Sequence, residues 1–127
     1  TAGRILVVDD DEMIRKFFNR FLSSFGFELD FAENGFEAGL KTVQFNPHLI
    51  ILDLIMPEMD GFAVCRQIKQ QSGTAGIKII AISGYNTPEN IDRALTAGAD
   101  IFMPKPIDAD RMVTTINDLM APAMSSV

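Results

Sequence analysis

The chain has few of the features that mark secreted or membrane-bound proteins. Its single cysteine, Cys65, cannot form an internal disulfide, and we expect it to be a buried core residue in a reducing compartment. No apolar run approaches the about 20 residues that span a bilayer, and the first residues lack the apolar stretch of a secretory signal. These absences predict a cytoplasmic protein that does not contact a membrane.

Positive charge is also scarce, with 11 Lys and Arg against 17 Asp and Glu and a formal net charge of −6. Direct binding to nucleic acid is not expected, because phosphate backbones attract clustered Lys and Arg. What is present is a balance of 47% hydrophobic and 22% charged residues, which is typical of a globular domain. We expect residues 1–121 to form one domain and residues 122–127 to be a C-terminal tail or a truncated linker.

Short apolar segments alternate with segments of helical periodicity, which predicts an α/β fold with a parallel sheet. The apolar segments are residues 5–8, 27–31, 49–52, 77–82 and 101–103. The first helical segment carries an apolar stripe that we expect to face the core, made of Ile14, Phe17, Phe18, Phe21, Leu22 and Phe25. A later helix is predicted over 88–97, with Thr87 as its N-cap and Gly98 after its end, and the last helix follows Asp108.

The composition of the strands predicts their order in the sheet. The first, third and fourth segments are continuously apolar, as in parallel strands covered on both faces, and therefore belong in the middle. Residues 27–31 alternate and residues 101–103 are few, so these strands suit the edges. With right-handed crossovers, the prediction is a flavodoxin-like, three-layer (βα)5 fold whose central parallel five-stranded sheet has the order 2-1-3-4-5.

Polar residues follow four of these strands. Asp9 and Asp10 follow the first, Asp53 the third, Ser83 the fourth and Lys105 the fifth. In open α/β sheets, ligands bind beyond the carboxyl ends of the strands near the point where strand order reverses. Each residue alone has an ordinary interpretation as a cap, a turn residue or a surface ion pair, but four such placements together predict one polar pocket.

The chemistry of this pocket follows from its charge. Three carboxylates in one pocket repel one another by about 4 kcal/mol per pair at 4 Å and an effective dielectric of 20. A proton would relieve part of this, but a divalent cation relieves more, and all-oxygen ligands indicate Mg²⁺. Asp53 is then a candidate nucleophile toward an activated phosphoryl donor, with the Lys105 ammonium balancing charge and the Ser83 hydroxyl donating a hydrogen bond to the bound group. His48 precedes the third strand at the opposite end of the sheet and is expected to be structural or exposed.

With these residues in place, the chain closely resembles the receiver domains of bacterial response regulators, the phosphoacceptor proteins of two-component signalling. The resemblance covers nearly the whole chain and rests on residues 5–11, 53–61, 81–84 and 105–106, in this order and spacing. It implies that Asp53 is the phosphoacceptor and that Asp9, Asp10, Asp53 and the backbone carbonyl of Ile55 hold Mg²⁺, with Asp10 the more direct of the first two ligands.

The resemblance also implies roles for the remaining residues of the pocket. Lys105 would pair with the acceptor or its phosphoryl group, with a cis peptide bond before Pro106. Ser83 matches the switch hydroxyl, where the family often has Thr. Phe102 matches the aromatic switch residue, where the family often has Tyr, so its coupling to Ser83 would depend on packing alone. Phe102 also suits a purely structural place in the core.

The expected partners follow from the same resemblance. The phosphoryl donor would be a histidine kinase or a histidine phosphotransfer protein, and the first helix, with Arg15, Lys16 and Asn19 exposed, is a candidate docking face. The downstream effector or output domain would bind the surface of the fourth helix, fifth strand and fifth helix, which include residues 87–97 and 108–120. A phosphorylation-dependent homodimer is a further option. The domain would catalyse only its own phosphorylation and dephosphorylation and would not be an enzyme otherwise.

Two alternatives remain open from the sequence. A Mg²⁺-dependent aspartyl-phosphate phosphohydrolase generally carries a second acid two residues after its nucleophile and a cap insertion, but here that position is Ile55 and no segment is long enough for a cap. A degenerate receiver that serves only for docking or dimerisation usually lacks the acceptor, an acidic ligand or the lysine, and this chain keeps them all.

Overall fold

The computed structural model describes residues 2–121, and the predicted tail at 122–127 lies outside them. Apart from a short hairpin after the third strand, the elements alternate between strands and helices, as the spacing predicts. They are β1 (Arg4–Val8), α1 (Glu12–Ser23), β2 (Glu28–Ala32), α2 (Gly35–Gln44), β3 (Leu49–Asp53), β4 (Ile55–Met56), β5 (Met59–Asp60), α3 (Gly61–Gln70), β6 (Lys78–Ser83), α4 (Pro88–Thr96), β7 (Ile101–Pro104) and α5 (Ala109–Met120).

The five long strands form one parallel sheet in the order β2-β1-β3-β6-β7. Because β4 and β5 pair only with each other, this order confirms the predicted 2-1-3-4-5. Val8 pairs with Leu52, and Asp53 pairs with Ile82. These registers bring the carboxyl ends of β1, β3 and β6 to one edge of the sheet. Chain order reverses between β1 and β3, so the crevice that open α/β sheets form at such a point lies where Asp9 and Asp53 emerge.

Two apolar layers cover the sheet. One lies under α2, α3 and α4 and includes Phe62, Cys65 and Ala94. The other lies under α1 and α5 and includes Phe18 and Ile116. Every residue of β3 is buried, as expected for a central strand covered on both faces. At about 1.5–3 kcal/mol for each large apolar side chain removed from water, these layers fix the strands rigidly.

Several local predictions are confirmed. Thr87 caps α4 by accepting a hydrogen bond from the N–H of Asn90, and Asp108 caps α5 in the same way through Arg111. Gly98 follows α4 with a φ of 109°, a left-handed conformation that favours glycine. Cys65 is buried, and burial raises the pKa of its thiol to about 11, so it stays protonated and unreactive at neutral pH.

Other predictions are wrong in detail. The second strand covers Glu28–Ala32, one residue later than predicted, and α4 ends at Thr96. In α1, Phe18 and Leu22 are buried, but Phe17 is exposed, and Phe25 lies after the end of the helix and is exposed too, so not all of the predicted apolar stripe faces the core. Successive helical residues lie about 100° apart, and a stripe that includes both 17 and 18 is wider than the covered face.

Gly61 sets the distance between α3 and the end of β3. A Cβ atom at Gly61 would lie 2.5 Å from the Cα of Leu54 and 2.7 Å from the carbonyl oxygen of Asp53. Both neighbours are backbone atoms that cannot rotate away. Asp60 caps α3 by accepting hydrogen bonds from the N–H groups of Phe62 and Ala63, so the helix begins against the strand end that carries Asp53.

We expect Gly61→Ala to lower the free energy of unfolding by about 1–3 kcal/mol, because the added methyl group forces the backbone of α3 away from β3. Urea denaturation measures this effect. Gly39→Ala is the matched control, since Gly39 lies inside α2 with nothing within 4 Å of its Cβ position. Alanine favours a helix interior, so the control should be neutral or stabilising by about 0.5–1 kcal/mol. Equal stabilities for the two variants would contradict this account.

Candidate functional site

The polar residues at the strand ends lie together in one pocket. One carboxylate oxygen from each of Asp9, Asp10 and Asp53 lies within 4.8 Å of the other two. We call these three residues the acidic pocket. The Nζ atom of Lys105 lies 3.0 Å from Oδ2 of Asp9 and 3.3 Å from Oδ2 of Asp53. The four side chains come from positions up to 96 residues apart in sequence and meet only because the sheet order brings β1, β3 and β7 to the same edge.

Asp9 is completely buried at the end of β1. Its Oδ1 atom accepts a hydrogen bond of 2.9 Å from the N–H of Asp11. Its Oδ2 atom is buried and faces the Lys105 ammonium at an ion-pair distance of 3.0 Å, which uses only part of the lone-pair capacity of that oxygen. A buried carboxylate oxygen with an unused lone pair costs stability unless something else coordinates it. The Oδ2 atom of Asp9 can therefore accept a further ligand in the pocket.

Asp10 differs from Asp9 because its side chain is exposed. The N-cap of α1 is Asp11, whose carboxylate accepts a hydrogen bond from the N–H of Met13. Since Asp11 provides the cap, Asp10 is left with its carboxylate in the acidic pocket.

Asp53 is 3% exposed and ends β3. Its Oδ1 atom accepts a hydrogen bond of 3.2 Å from the N–H of Ile55, and its Oδ2 atom accepts one of 3.3 Å from Lys105. Burial, and then the negative charge of Asp9, raise the pKa of Asp53 to about 6, although Lys105 acts in the opposite direction. At neutral pH the carboxylate is therefore mostly ionised, but its charged form is less stable than that of an ordinary aspartate.

Lys105 is held in place by its own backbone. Its N–H donates a hydrogen bond of 2.9 Å to the carbonyl of Ser83, and the Lys105–Pro106 peptide bond is cis, as the resemblance implies. Burial lowers the pKa of the ammonium, but the facing carboxylates of Asp53 and Asp9 more than offset this, so the pKa is raised overall. Lys105 is therefore a permanent cation at neutral pH.

The donor set fits a divalent cation. Three carboxylates against one ammonium leave an excess of two negative charges when all are ionised. Carboxylate oxygens are hard ligands that suit Mg²⁺ or Ca²⁺ rather than softer metals. The buried Oδ2 of Asp9 supports the same interpretation, because it already faces one cation, the Lys105 ammonium, and has lone-pair capacity for a second. The acidic pocket is therefore a candidate metal site.

The remaining predicted residues line the edge of the pocket or lie behind it. Ser83 is buried at the end of β6, and its Oγ atom accepts a hydrogen bond of 2.9 Å from the N–H of Tyr85. Phe102 is 8% exposed and packs in the layer under α2, α3 and α4. Ile55 starts the short β4–β5 hairpin, and its side chain is exposed. His48 lies at the opposite end of the sheet, where Nδ1 accepts a hydrogen bond from the N–H of Arg4.

One residue at the site has a different place from the one expected. Arg15 is predicted as an exposed docking residue, but its side chain is only 19% exposed and donates a hydrogen bond of 2.8 Å to the carbonyl of Asp9. Lys16 and Asn19 are exposed as predicted. Nothing in the sequence pattern of α1 distinguishes Arg15 from Lys16, because both flank the same apolar stripe. The contact depends on how α1 packs beside the end of β1, which is a tertiary feature.

Comparison with known proteins gives a consistent result. The family model for the response regulator receiver domain matches residues 5–117. The chemotaxis protein CheY of Bacillus subtilis is 39% identical over 117 residues, covering 91% of this chain and 96% of CheY. The DNA-binding dual master transcriptional regulator RpaA of Synechocystis is 31% identical over 117 residues, covering 92% of this chain but only 48% of RpaA. The chain thus spans about half the length of RpaA.

Solved structures agree with these matches. The signal receiver domain of a DNA-binding response regulator from Colwellia psychrerythraea superimposes with a TM-score of 0.88 and 33% identity, over 91% of this chain and 96% of that one. Among residues 2–121, no helix has both the length and the hydropathy to cross a membrane.

The raised pKa of Asp53 predicts how its replacement changes stability with pH. The folded-state pKa of about 6 exceeds the ordinary value of 3.8, so burial of the charge costs stability above about pH 6 and costs nothing below about pH 4. With metals removed by EDTA, Asp53→Asn should raise the free energy of unfolding by about 1–3 kcal/mol at neutral pH. This gain should disappear as the pH falls from 6 toward 4.

Thermal and urea denaturation across this pH range test the prediction. Asp118→Asn is the control, because it removes one negative charge from an exposed position of α5 far from the acidic pocket. A gain that Asp118→Asn shares would be an effect of net charge. A gain for Asp53→Asn that does not change with pH would show that burial does not shift the titration of Asp53.

Proposed function

The chain belongs to the response regulator receiver domain family, and we propose that Asp53 accepts a phosphoryl group from a phosphohistidine donor in a Mg²⁺-dependent reaction. The observation that carries this proposal is the placement of Asp53, buried at a strand end between the Lys105 ammonium and two further carboxylates. The chain is a signalling domain of two-component systems. Its chemistry would be limited to its own phosphorylation and dephosphorylation.

Asp53 is suited to the role of nucleophile. Its pKa of about 6 leaves the carboxylate ionised at neutral pH, and its partial desolvation makes the oxygens more basic than those of an exposed aspartate. One oxygen is held by the N–H of Ile55 and the other by Lys105, so the carboxylate has a fixed orientation. An oriented nucleophile removes much of the entropic barrier to phosphoryl transfer.

Asp9, Asp10, Asp53 and the backbone carbonyl of Ile55 would hold Mg²⁺. The bound ion would offset the negative charge of the phosphoryl oxygens during transfer. The ammonium of Lys105 lies beside the acceptor and would pair with the same oxygens. Because Lys105 already contacts both Asp9 and Asp53, its charge is in place before the donor arrives.

Phosphorylation would act on the structure through Ser83. The phosphoryl group adds a charge of about −1.5 to −2 and three strong acceptor oxygens. The Ser83 hydroxyl would turn from its contact with Tyr85 toward these oxygens, and the loop at 84–87 between β6 and α4 would follow. The ring of Phe102 is already buried, so the larger movement would be that of Ser83 and this loop. The altered surface of α4, β7 and α5 would bind the effector, an output domain or a second copy of the chain.

The proposed donor is a histidine kinase or a histidine phosphotransfer protein that docks on α1. Met13 is 71% exposed in the first turn, close to the acidic pocket, and Phe17 extends the apolar surface along the helix. Lys16 and Asn19 border this surface. A donor bound here would bring its phosphohistidine to the carboxyl edge of the sheet, where Asp53 is reached.

Acetyl phosphate tests the chemistry without a partner protein. We expect incubation with acetyl phosphate and Mg²⁺ to add one phosphoryl group to the intact chain, and the addition to be lost when EDTA replaces Mg²⁺. Asp53→Asn should abolish it, because an amide is not a nucleophile toward phosphorus. Lys105→Met should reduce the rate by about 100-fold or more, as expected for removal of one charge-stabilising group. Intact-protein mass spectrometry measures each outcome.

Asp118→Asn is the matched control for Asp53→Asn and should be labelled at the normal rate, since it lies on α5 far from the pocket. Labelling that persists in Asp53→Asn would reject the acceptor, and labelling in EDTA would reject the metal requirement. A wild-type chain that binds Mg²⁺ but never takes up phosphate would be a docking module instead. Repeated turnover of unrelated phosphate esters would indicate a phosphohydrolase.

The switch is tested with beryllofluoride, a stable mimic of the phosphoryl group. In the presence of Mg²⁺ we expect amide NMR shifts to change in the 84–87 loop, α4, β7 and α5, while α2 changes little. Ser83→Ala should confine the changes to the pocket, because the hydroxyl that draws the loop inward is gone. Ser72→Ala, an exposed serine in a different loop, should behave as the wild type. Identical shift patterns in Ser83→Ala and the wild type would reject Ser83 as the switch.

A further inference from the structure

Asp10 is the member of the acidic pocket that the surrounding structure holds least. Its side chain is exposed, and no hydrogen bond or ion pair within residues 2–121 fixes it. The last sheet hydrogen bond before it is donated by the N–H of Asp9 to Ala32, at 3.0 Å. The first helix hydrogen bond after it is accepted by the carbonyl of Asp11. The direction of the Asp10 carboxylate therefore depends on how the backbone between β1 and α1 is held.

Arg15 holds this backbone. Its Nη1 atom donates a hydrogen bond of 2.8 Å to the carbonyl oxygen of Asp9, and its Nη2 atom lies 3.5 Å from Oε2 of Glu33. The side chain is 19% exposed, so water competes little for the first contact. The pair with Glu33 is longer and more than half exposed on the Glu33 side, and such pairs contribute little. The contact with Asp9 is the one that matters.

The contact with the Asp9 carbonyl fixes a whole peptide plane. The carbonyl of Asp9 and the N–H of Asp10 belong to one rigid planar unit, so holding the oxygen also sets the position of the Asp10 Cα atom. On the other side of Asp10, the carboxylate of Asp9 accepts a hydrogen bond from the N–H of Asp11 at 2.9 Å. Asp10 is thus clamped between two backbone contacts, one of which Arg15 provides.

We propose that Arg15 is a positioning residue of the metal site, which aims the Asp10 carboxylate into the acidic pocket by holding the carbonyl of Asp9. This inference rests on the proposed Mg²⁺ site. Groups that orient a metal ligand without touching the metal commonly change metal affinity by about 10–100-fold when they are removed. Arg15 belongs to this class by geometry, since it contacts the backbone of a ligand and not a ligand oxygen.

The charge of Arg15 makes the inference sharply testable. A cation near three carboxylates opposes the binding of a second cation, so its removal by itself should strengthen Mg²⁺ binding. Loss of a positioning contact should weaken it. The two effects have opposite signs, and the sign of the measured change separates them.

The experiment is a Mg²⁺ titration of the whole chain by calorimetry, or by amide NMR shifts where the heat is small. We expect Arg15→Met to weaken Mg²⁺ binding about 10-fold relative to the wild type. Arg20→Met is the matched control, because it removes the same cation from an exposed position later in α1 that does not contact Asp9. The control should bind Mg²⁺ as tightly as the wild type or slightly more tightly.

A second comparison identifies the residue through which Arg15 acts. In an Asp10→Asn background, Arg15→Met should cause little further loss of Mg²⁺ affinity, because the ligand that it orients is already gone. A general loosening of the fold would instead weaken binding by the same factor in both backgrounds. Circular dichroism shows whether each variant is folded. If Arg15→Met does not fold, Arg15→Lys takes its place, since it keeps the charge but lacks the planar fork of donors.

The outcomes separate this inference from the function on which it rests. Wild-type chain that does not bind Mg²⁺ would overturn both. Wild type that binds Mg²⁺, with Arg15→Met binding equally or more tightly, would overturn only the role of Arg15. An equal loss in the Asp10→Asn background would also overturn it. If Arg15→Lys is the usable variant, weaker binding supports the role and unchanged binding rejects it.

Discussion

Repulsion among the three carboxylates of the acidic pocket is the constraint on which the rest of the structure depends. At an effective dielectric of 20, two such charges 4 Å apart repel by about 4 kcal/mol, which is comparable to much of a domain's net stability. Lys105 offsets part of this repulsion, but the pKa of Asp53 is still raised, first by burial and then by the negative charge of Asp9. The strands that carry Asp9 and Asp53 must therefore be held rigidly by contacts elsewhere, and burial of β1 and β3 under both helical layers provides them.

Much of this arrangement follows from the sequence. Continuously apolar strands 1, 3 and 4 predict the centre of the sheet, and the order then predicts that residues at the strand ends meet at one edge. No other information was needed to predict that Asp9, Asp53 and Lys105 lie together, because the carboxyl ends of parallel strands in a known order lie at the same edge of the sheet. Capping residues such as Thr87 and Asp108 were equally predictable, since their side chains act on backbone groups only a few residues away.

The features that the sequence did not predict depend on angles between elements. The apolar stripe of α1 gives no sign that Phe17 would be exposed, because exposure depends on how much of the helix surface the neighbouring elements cover. The β4–β5 hairpin has two residues per strand, too few for a periodicity, and turns at Glu58 with a φ of 62°. Arg15 looks like any surface cation until the direction in which α1 leaves β1 places its guanidinium against the Asp9 carbonyl. These features depend on tertiary contacts, which a local sequence pattern does not encode.

Some parts of the site are buried and rigid and others border exposed loops, and this difference determines where a change of charge in the pocket can produce movement. β3 is buried along its whole length, so a group attached to Asp53 cannot displace the strand. Ser83 and Lys105 stand at the ends of β6 and β7, where the covered strands give way to exposed loops, and their backbones are linked by one hydrogen bond. A new anion beside Asp53 would attract the Ser83 hydroxyl and the Lys105 ammonium, the two donors that border these exposed loops. In the proposed function, the resulting displacement would therefore appear on the side of α4, β7 and α5, away from β2 and α2.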